Sequence, residues 1–394
     1  MMSQENIVIV GMARTPMGGL LGDLSSVPAS DLGAVAISGA LKSAGLDGAD
    51  VTETIMGCVL PAGQGQAPAR QASKKAGIPD AVGAVTVNKM CGSGMKAKMQ
   101  AHDSLVAGSN NIVVAGGMES MSLAPHMMPN ARTGIKYGSA QILDHMAIDG
   151  LTDAYVGDPM GVFAELCAAH YQFTREAQDA YSIESLKRAQ SAIENGDFDG
   201  EVVPVTVKSR RGDSEITIDE QPGKARLDKI PTLRPAFKKD GTVTAANASS
   251  ISDGAAAVIM MTETEAKRRG LTPLATVRAH TTHAQAPEWF TTAPVKAVEA
   301  ALAKAGWTVD DVDLCEINEA FAVVPMAAMQ ELGIDHAKVN VNGGACALGH
   351  PIGASGARIC VTLINALKKR GLKKGVATLC IGGGEATALA VELL

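Results

Sequence analysis

The sequence predicts an α/β protein built from two related halves, and three observations support this fold class. Segments typical of strands alternate with segments typical of helices, a pattern that favours mainly parallel sheets covered by helices. A stretch near the start of the chain is repeated near its end. With 394 residues the chain is long enough for more than one packed unit, and its 42 glycines and 3% aromatic residues favour close packing of helices and sheets.

The repeat aligns residues 41–57 with residues 302–318, and each copy predicts a helix, a glycine stop, an Asp-containing loop and a strand. The next segments match in kind. Residues 83–117 predict a strand, a Gly/Ser turn, a helix and a second strand. Residues 339–384 predict the same order, beginning with a strand over Val339–Val341. Two copies indicate a duplicated βα unit and argue against a solenoid.

Charge and composition exclude several classes of protein. The net charge of −6 provides no basic surface for a nucleic acid, and no apolar stretch is long enough to span a membrane. No secretory or transit signal is predicted. The seven cysteines include no C-x-x-C pair, and their odd number does not form a closed disulfide set. We therefore expect a cytoplasmic protein with reduced thiols.

Cys91 is the first candidate for chemistry, because it lies in a Gly/Ser turn between a predicted strand and a predicted helix. At a helix N-terminus the unpaired N–H groups and the helix dipole favour a thiolate. A small buried residue at a tight turn is the alternative reading.

His350 lies in the matching turn of the second half, NGGACALGHPIGASGARI, where glycines surround it. A histidine that caps the helix is the alternative there. The string matches neither a dinucleotide fingerprint nor a P-loop.

Two further residues follow predicted strands of the second half. Cys380 precedes three glycines whose N–H groups are suited to bind an oxyanion. Asn318 follows the strand predicted over residues 312–317, at the sheet end where α/β proteins bind ligands, although a helix cap is an equally ordinary role. No metal site is predicted, because the histidines lack ligand spacing; His280 and His283 come nearest to a pair and are read as structural.

Together and in this order, six motifs resemble the thiolase family, most closely its acetyl-CoA acetyltransferases (acetoacetyl-CoA thiolases). They are NKMCGSGMKA, GGMESMS, NASSISDGAA, INEAF, NGGACALGHPIGASGAR and LCIGGG. The resemblance implies a thiolase fold, with two halves in an α-β-α-β-α arrangement and an inserted loop domain. The implied boundaries are residues 1–118 for the first half, completed by about 251–270, residues 119–250 for the loop domain that binds coenzyme A, and residues 271–394 for the second half.

The resemblance also implies a ping-pong Claisen condensation of two acetyl-CoA molecules to acetoacetyl-CoA and free CoA, with thiolysis as the reverse. Cys91 would carry the acetyl group, His350 would take its proton, and Cys380 would act as acid and base. Asn318 would hold a water at one oxyanion, and the N–H groups of Cys91 and Gly382 would bind the other. No prosthetic group is implied, and a homotetramer (a dimer of dimers) is the expected assembly.

Matching the motifs residue by residue also implies contacts to the CoA thioester. Ser249 would contact the pantetheine arm, and Lys224 and Arg226 would meet the 3′-phosphate. Seven residues would line the tunnel: Leu151, Met160, Leu233, Phe237, Ala245, Ala320 and Phe321. Glu385, where many relatives have an apolar residue, is a departure from the family pattern.

Two rival functions remain open at this point. A longer-chain 3-ketoacyl-CoA thiolase of β-oxidation would have the same motifs, since the sequence does not measure the acyl pocket. A non-catalytic protein that binds CoA or lipid on the same fold is the rival from another class. The presence of Cys91, His350 and Cys380 together argues against it.

Overall fold

The computed structural model describes residues 5–210 and 212–394. The strands are β1 (Ile7–Arg14), β2 (Gly18–Gly19), β3 (Glu53–Gly57), β4 (Gly83–Val87), β5 (Ile112–Ser120), β6 (His126–Met127), β7 (Leu143–Asp144), β8 (Val205–Val207), β9 (Ser214–Ile216), β10 (Ser252–Thr262), β11 (Ala275–Ala284), β12 (Leu314–Ile317), β13 (Lys374–Ile381) and β14 (Glu385–Glu392). The α-helices are α1 (Ala29–Ala44), α2 (Pro68–Lys75), α3 (Ser93–Val106), α4 (Met160–Tyr171), α5 (Arg175–Glu194), α6 (Glu220–Lys224), α7 (Glu263–Arg268), α8 (Ala293–Ala305), α9 (Val323–Leu332), α10 (Ala345–Leu348) and α11 (Ile352–Arg370).

The main sheet runs β12-β13-β14-β11-β1-β10-β5-β3-β4, with β2 joined to β10. In the first half, β1, β5, β3 and β4 share one direction and β10 opposes them. In the second half, β11, β13 and β12 share one direction and β14 opposes them. Most strands of each half therefore agree in direction, as predicted, although each opposed strand makes both of its neighbouring pairs antiparallel. The halves join where β1 pairs antiparallel with β11.

The helices form three layers around the two halves of the sheet, which confirms the predicted α-β-α-β-α order. Helices α3 and α11 lie in the middle, and their apolar residues share one buried cluster with strands of both halves. Helices α1 and α2 pack on the outer face of the first half. Helices α8 and α9 pack on the outer face of the second half. Each α-helical layer buries an apolar face against the sheet, which is the main source of stability for such a fold.

Local sequence explains how the repeated units end and how closely the middle helices pack. Helices α1 and α8 end at Gly45 and Gly306, which have φ values of 67° and 72°. Glycine adopts this left-handed conformation without strain. A Cβ built on Gly94 of α3 would lie 2.8 Å from the backbone nitrogen of Ala357 on α11. The two central helices therefore approach each other at a distance that only glycine permits here.

One predicted element is wrong. The strand expected over Val339–Val341 is a single bridge between Val339 and Cys315, followed by a turn. Asn340 has a φ of 48°, outside the strand region, and its side chain bonds both the N–H and the carbonyl of Ile317 at 2.8 Å. The amide of Asn340 thus replaces the backbone ladder that a strand would have supplied.

Residues 119–250 contribute the end of β5, two small hairpins, β6-β7 and β8-β9, and helices α4 to α6. A buried ion-pair network ties this region to β1: Arg14 contacts Glu201 at 2.5 Å and Asp219 at 2.7 Å, and all three side chains are fully buried or nearly so. Within the described ranges, no helix combines the length and the apolar character needed to cross a bilayer.

Candidate active site

Cys91 lies in a tight elbow between β4 and α3. Met90 adopts a φ of 47°, an unusual value for a residue with a side chain. Neighbouring side chains hold this backbone: Asn88 Oδ1 accepts the N–H of Met90 at 3.0 Å. Ser93 Oγ accepts the N–H of Lys89 at 2.8 Å and donates to the carbonyl of Met90 at 2.7 Å. The elbow therefore presents Cys91 at the start of a central helix in one fixed orientation.

Burial raises the pKa of Cys91 to about 11, although the N–H groups of Gly382 and of Cys91 itself point at the sulfur and favour its charged form. The N–H groups therefore favour the thiolate, as expected, but desolvation outweighs them, so the sulfur of the ligand-free protein keeps its proton at neutral pH.

Cys380 lies near the end of β13, two residues before Gly382, and its side chain is fully buried. Burial raises the pKa of Cys380 well above its usual value, and the nearby charge of Cys91 raises it further. Both sulfurs therefore keep their protons at neutral pH, and a negative charge on one of them disfavours ionisation of the other.

His350 is held with one ring nitrogen bound and the other free. Its Nδ1 lies 2.5 Å from Ser355 Oγ, and Ser355 donates its own hydroxyl proton to the carbonyl of Pro351 at 3.0 Å. Ser355 must therefore accept the Nδ1–H of His350, which leaves Nε2 with a lone pair. Nε2 is buried and has no hydrogen-bond partner among the described residues.

Burial, aided by the charge of Arg358, lowers the pKa of His350 to about 3. The imidazole is consequently neutral at physiological pH. A neutral ring with a free, buried Nε2 is ready to accept a proton or, once protonated, to donate one to a bound oxygen. The resting site thus combines a thiol with a neutral imidazole and is not a thiolate–imidazolium ion pair.

Asn318 follows β12, and its backbone N–H donates to the carbonyl of Thr378 at 3.0 Å. Both polar atoms of its side chain are buried and lack a partner in the described structure. The adjacent Glu319 is the opposite case, since its carboxylate accepts bonds from four groups at 2.8–3.0 Å: Tyr181, Ser185, Asn340 and the N–H of Cys346. The helix-cap reading of Asn318 does not hold, because its side chain caps nothing.

These residues lie in or next to the turns that follow β4, β12 and β13 and at the starts of the two central helices. The N–H of Gly382 contacts the sulfur of Cys91, and Cys91 packs in one apolar cluster with Ile352, two residues after His350. Asn318 is bonded to Thr378, two residues before Cys380. The sequence predicts these residues from four separate segments, and the fold brings the segments together.

Part of the predicted acyl tunnel lies beside this cluster. Leu151 packs in the apolar cluster that contains Cys91, and a Cβ built on Gly382 would lie 3.5 Å from Met160 Cε. Phe237 and Phe321 make an edge contact with ring centroids 6.0 Å apart.

The backbone N–H of Ser249 donates to the carbonyl of Ala320 at 2.9 Å, which ties the two segments of the predicted pantetheine contact together.

The remaining predicted CoA contacts lie farther out. Leu233 is half-buried and Ala245 is exposed. Lys224 forms an ion pair with Glu220, and Arg226 lies 3.1 Å from Asp228, so each cation already has an acidic neighbour. Both cations are largely exposed and their ion pairs are weak. Their assignment to a phosphate stays a prediction.

Two supporting residues were not singled out from the sequence. Ser355 orients His350, and the sequence indicates this only by placing a hydroxyl side chain five residues after the histidine. Glu119, at the end of β5, accepts the N–H groups of Val59, Leu60 and Gly353 at 2.9–3.1 Å. A carboxylate inside an otherwise apolar strand is a signal for such a role. Glu119 holds the loop after β3 against the start of α11, directly beneath the site.

A duplicated α/β fold with a half-buried thiol, a buried thiol, a neutral imidazole and paired N–H donors indicates a class of protein: acyl-transferring enzymes. The comparisons give the family. The thiolase N-terminal domain model matches residues 7–264, and the thiolase C-terminal domain model matches residues 271–393. The chain therefore belongs to the thiolase family.

Several relatives are similar over nearly their whole length. An acetyl-CoA acetyltransferase of Cupriavidus necator is 52% identical over 98% of this chain and 99% of its own. Acetyl-CoA acetyltransferase 2 of Arabidopsis thaliana is 52% identical over 99% of this chain and 98% of its own. The crystal structure of a Bacillus anthracis acetyl-CoA acetyltransferase superposes with a TM-score of 0.97 at 40% identity, covering 99% of both chains.

Proposed function

We propose that the protein is an acetyl-CoA C-acetyltransferase that condenses two acetyl-CoA molecules to acetoacetyl-CoA and CoA through an acetylated Cys91, and that also runs the reverse thiolysis. The observation that carries the proposal is a protonated Cys91 in contact with the Gly382 turn that follows Cys380 and in one apolar cluster with Ile352, two residues after His350, whose buried Nε2 has no partner among the described residues. The names of the relatives agree with this activity.

In the first half-reaction, the sulfur of Cys91 attacks the thioester carbonyl of acetyl-CoA while its proton passes to Nε2 of His350. The tetrahedral intermediate collapses with cleavage of the bond to the CoA sulfur, and Cys380 gives its proton to that leaving sulfur. The products are acetyl-Cys91 and CoA, with a thiolate on Cys380 and an imidazolium on His350.

In the second half-reaction, the Cys380 thiolate removes a proton from the methyl group of a second acetyl-CoA. The carbanion attacks the carbonyl of acetyl-Cys91, the carbon–sulfur bond breaks, and His350 returns its proton to the sulfur of Cys91. Both residues regain their resting state, so the protons balance over the cycle.

Two sets of donors would stabilise the negative oxygens that form on this path. The N–H groups of Cys91 and Gly382, which face the sulfur in the resting protein, would bind the oxygen of the acyl group as it develops charge. The enolate oxygen of the second substrate would be met by Nε2–H of His350 and by Asn318, directly or through a water. One such donor contributes roughly 3–4 kcal/mol in the transition state.

We assign the inserted region, residues 119–250, to the binding of coenzyme A, and the flanking parts of the chain to the two catalytic halves. The support is local: Leu151 and Met160 pack against the cysteine elbow and the Gly382 turn, and Ser249 is bonded to the segment of Ala320. The substrates are CoA thioesters, and the proposed reaction needs no prosthetic group.

The experiment is a substrate series. The purified protein is given acetyl-CoA alone, and acetoacetyl-CoA and free CoA are measured; 3-ketoacyl-CoA thioesters of four to ten carbons are then tested for thiolysis. We expect condensation and a preference for the four-carbon substrate. Fast thiolysis of longer chains with little condensation would support a β-oxidation thiolase, and binding of CoA without turnover would support a non-catalytic protein.

We also propose that the protein works in the cytoplasm as a homotetramer. Its seven cysteines are all free, which suits a reducing compartment. The end strand β4 leaves an edge open with Val85 exposed, and Ile135, Tyr137 and Ile142 are exposed apolar residues in one loop segment. Such surfaces favour association. Light scattering that gives a monomer mass at micromolar concentration would contradict the tetramer.

A further inference from the structure

A second cluster of chemically capable side chains lies outside the active site, where α3 meets β11. His102 and Asp103 lie in the last two turns of α3, the helix that begins beside Cys91. His280 lies on β11, the first strand of the second half, and points at the same place. The cluster therefore joins the two halves of the molecule through side chains that are 177–178 residues apart in sequence.

Three possible ligand atoms converge there at nearly equal distances. Nε2 of His280 lies 3.2 Å from Nδ1 of His102 and 3.0 Å from Oδ1 of Asp103, and Nδ1 of His102 lies 3.3 Å from the same oxygen. Around a tetrahedral metal with bonds of about 2.0–2.1 Å, neighbouring ligand atoms lie roughly 3.3 Å apart. Around an octahedral metal with the same bonds the separation is about 3.0 Å. The triangle falls between these two geometries.

The protonation state of the cluster favours a cation. Each imidazole offers the lone pair of one ring nitrogen, which is the form in which histidine binds a metal. The carboxylate of Asp103 supplies a negative charge and is 61% exposed, which leaves a side of the cluster open to water. Lys304 is the other charged neighbour, and its Nζ donates to the carbonyl of His280 at 3.3 Å on an exposed side chain that is free to turn outward.

We propose that His102, Asp103 and His280 form a binding site for a late first-row divalent cation, with Zn²⁺ as the best match to two imidazoles and one carboxylate. The fourth ligand is water on the open side. The sequence pattern predicted no metal site, and its nearest candidate pair, His280 with His283, is not the one that converges. Because the ligands come from α3 and β11, the bound ion clamps the two halves together.

The site is separate from the proposed chemistry. Cys91 occupies the N-terminal end of α3 and the histidine cluster occupies its C-terminal end, so the ion does not touch the reacting thioester. The effect of binding is stabilisation of the folded protein in proportion to the logarithm of free ion concentration. This inference does not depend on which acyl chain the active site accepts.

The test is zinc titration of metal-free, iodoacetamide-treated protein against a chromophoric chelator, with Tm measured in parallel. Alkylation removes the reactive thiols as competing ligands. We expect one tightly bound Zn²⁺ per chain and a Tm that rises with zinc concentration. Co²⁺ in place of zinc should give visible d–d bands without the near-ultraviolet sulfur charge-transfer band that a thiolate ligand produces.

The deciding variants are His280→Ala and, as its matched control on the same strand, His283→Ala. Loss of a direct ligand should weaken zinc binding by more than about 100-fold, since even outer-sphere partners are worth about 10- to 100-fold. His283, whose Nε2 contacts Gln285 at 3.0 Å, should be dispensable. Equal binding by both variants, or no binding by the unmodified chain, would overturn the proposal, and so would a sulfur band with Co²⁺.

Discussion

The end of β5 in the first half and two loops of the second half, after β12 and before α11, use their buried polar side chains in opposite ways. In the first half, the carboxylate of Glu119 at the end of β5 is fully engaged by three backbone N–H groups. In the second half, Asn318 after β12 has two buried polar atoms without a partner, and Nε2 of His350 before α11 is in the same state. The carboxylate at the end of β5 thus supports the fold, whereas the two loops of the second half carry polar groups that the fold leaves without partners.

The difference shows where substrate is expected. An unpartnered buried polar group costs roughly 1–3 kcal/mol, and most proteins avoid it. Its presence at two neighbouring positions indicates groups whose partners arrive with a ligand. In the proposed mechanism the first half contributes the nucleophile through the elbow of Cys91 and Met90, and the second half contributes the base and all donors except the N–H of Cys91. Neither copy would be complete alone.

The largest effect is expected from removing the nucleophile. Cys91→Ala should reduce turnover by at least about 10⁴-fold, because no other group accepts the acetyl. Steady-state kinetics in both directions would measure it. Folding should be retained, and residual activity above about 1% of the starting value would show that the first half does not supply the nucleophile.

A large loss is also expected when the base is removed. His350→Gln should lower kcat by about 10²- to 10⁴-fold, the usual worth of a positioned general base. Ser355→Ala, which removes only the group that orients the ring, should cost less. Equal losses of kcat in the two variants would contradict the prediction that Ser355 acts only by orienting the ring of His350.

The comparison between the halves is tested most sharply by Asn318→Ala and Glu119→Ala. Asn318→Ala should lower kcat by about 10²- to 10³-fold and leave the free energy of unfolding unchanged or slightly higher. Glu119→Ala should destabilise the protein by several kcal/mol, about 1 kcal/mol or more for each stranded N–H group. Urea unfolding and steady-state kinetics of both variants provide the measurements. A reversal of the two patterns would contradict the division into support and site.

Stability should depend on pH through His350. Its pKa falls from an ordinary value of 6.5 in the unfolded chain to about 3 in the folded protein. As pH falls from about 6.5 towards 3, the unfolded chain binds a proton that the folded protein does not, so the free energy of unfolding decreases. The other titrating groups contribute equally to the pH dependence of the unmodified protein and of the His350→Gln variant. The difference between the two proteins should therefore shrink or reverse in favour of the variant as pH falls, and parallel curves would contradict the lowered pKa.

The smallest effect is expected at the contact between the two site loops. Lys89, two residues before Cys91, forms an ion pair with Glu385 after the glycine turn of Cys380. Their side chains are 20% and 34% exposed, and such pairs contribute about 0.2–1 kcal/mol. Glu385→Ala should lower kcat less than about fivefold, with the loss partly recovered in the charge-reversed double variant Lys89→Glu, Glu385→Lys. A loss above 100-fold would give Glu385 a direct role.

Much of the fold is readable from sequence because the βα unit occurs twice. Gly45 and Gly306 mark matching helix ends, and the apolar strands alternate clearly with helices. The failed strand over Val339–Val341 shows the limit, because a hydrogen-bonding side chain, Asn340, takes over the role of a backbone ladder. Intrinsic strand preference does not detect such a replacement.

The candidate site was predictable in its residue types and unpredictable in its electrostatics. The sequence predicts the four main candidates from their positions in turns or directly after predicted strands: Cys91, His350, Cys380 and Asn318. The pKa of Cys91 is raised because segments distant in sequence bury the thiol, and no local sequence pattern predicts this shift. The same holds for the convergence of His102 with His280, which lie 178 positions apart.

Acetylation of Cys91 is the central claim, and intact mass measurement of two variants tests it most directly. Cys380→Ser and Cys91→Ser are each incubated with acetyl-CoA, and the modified residue is located by peptide mapping. The account predicts that Cys380→Ser gains one acetyl group on Cys91 and forms no acetoacetyl-CoA, whereas Cys91→Ser gains none. Acetyl transfer to another residue, or condensation by Cys380→Ser at near the starting rate, would contradict it.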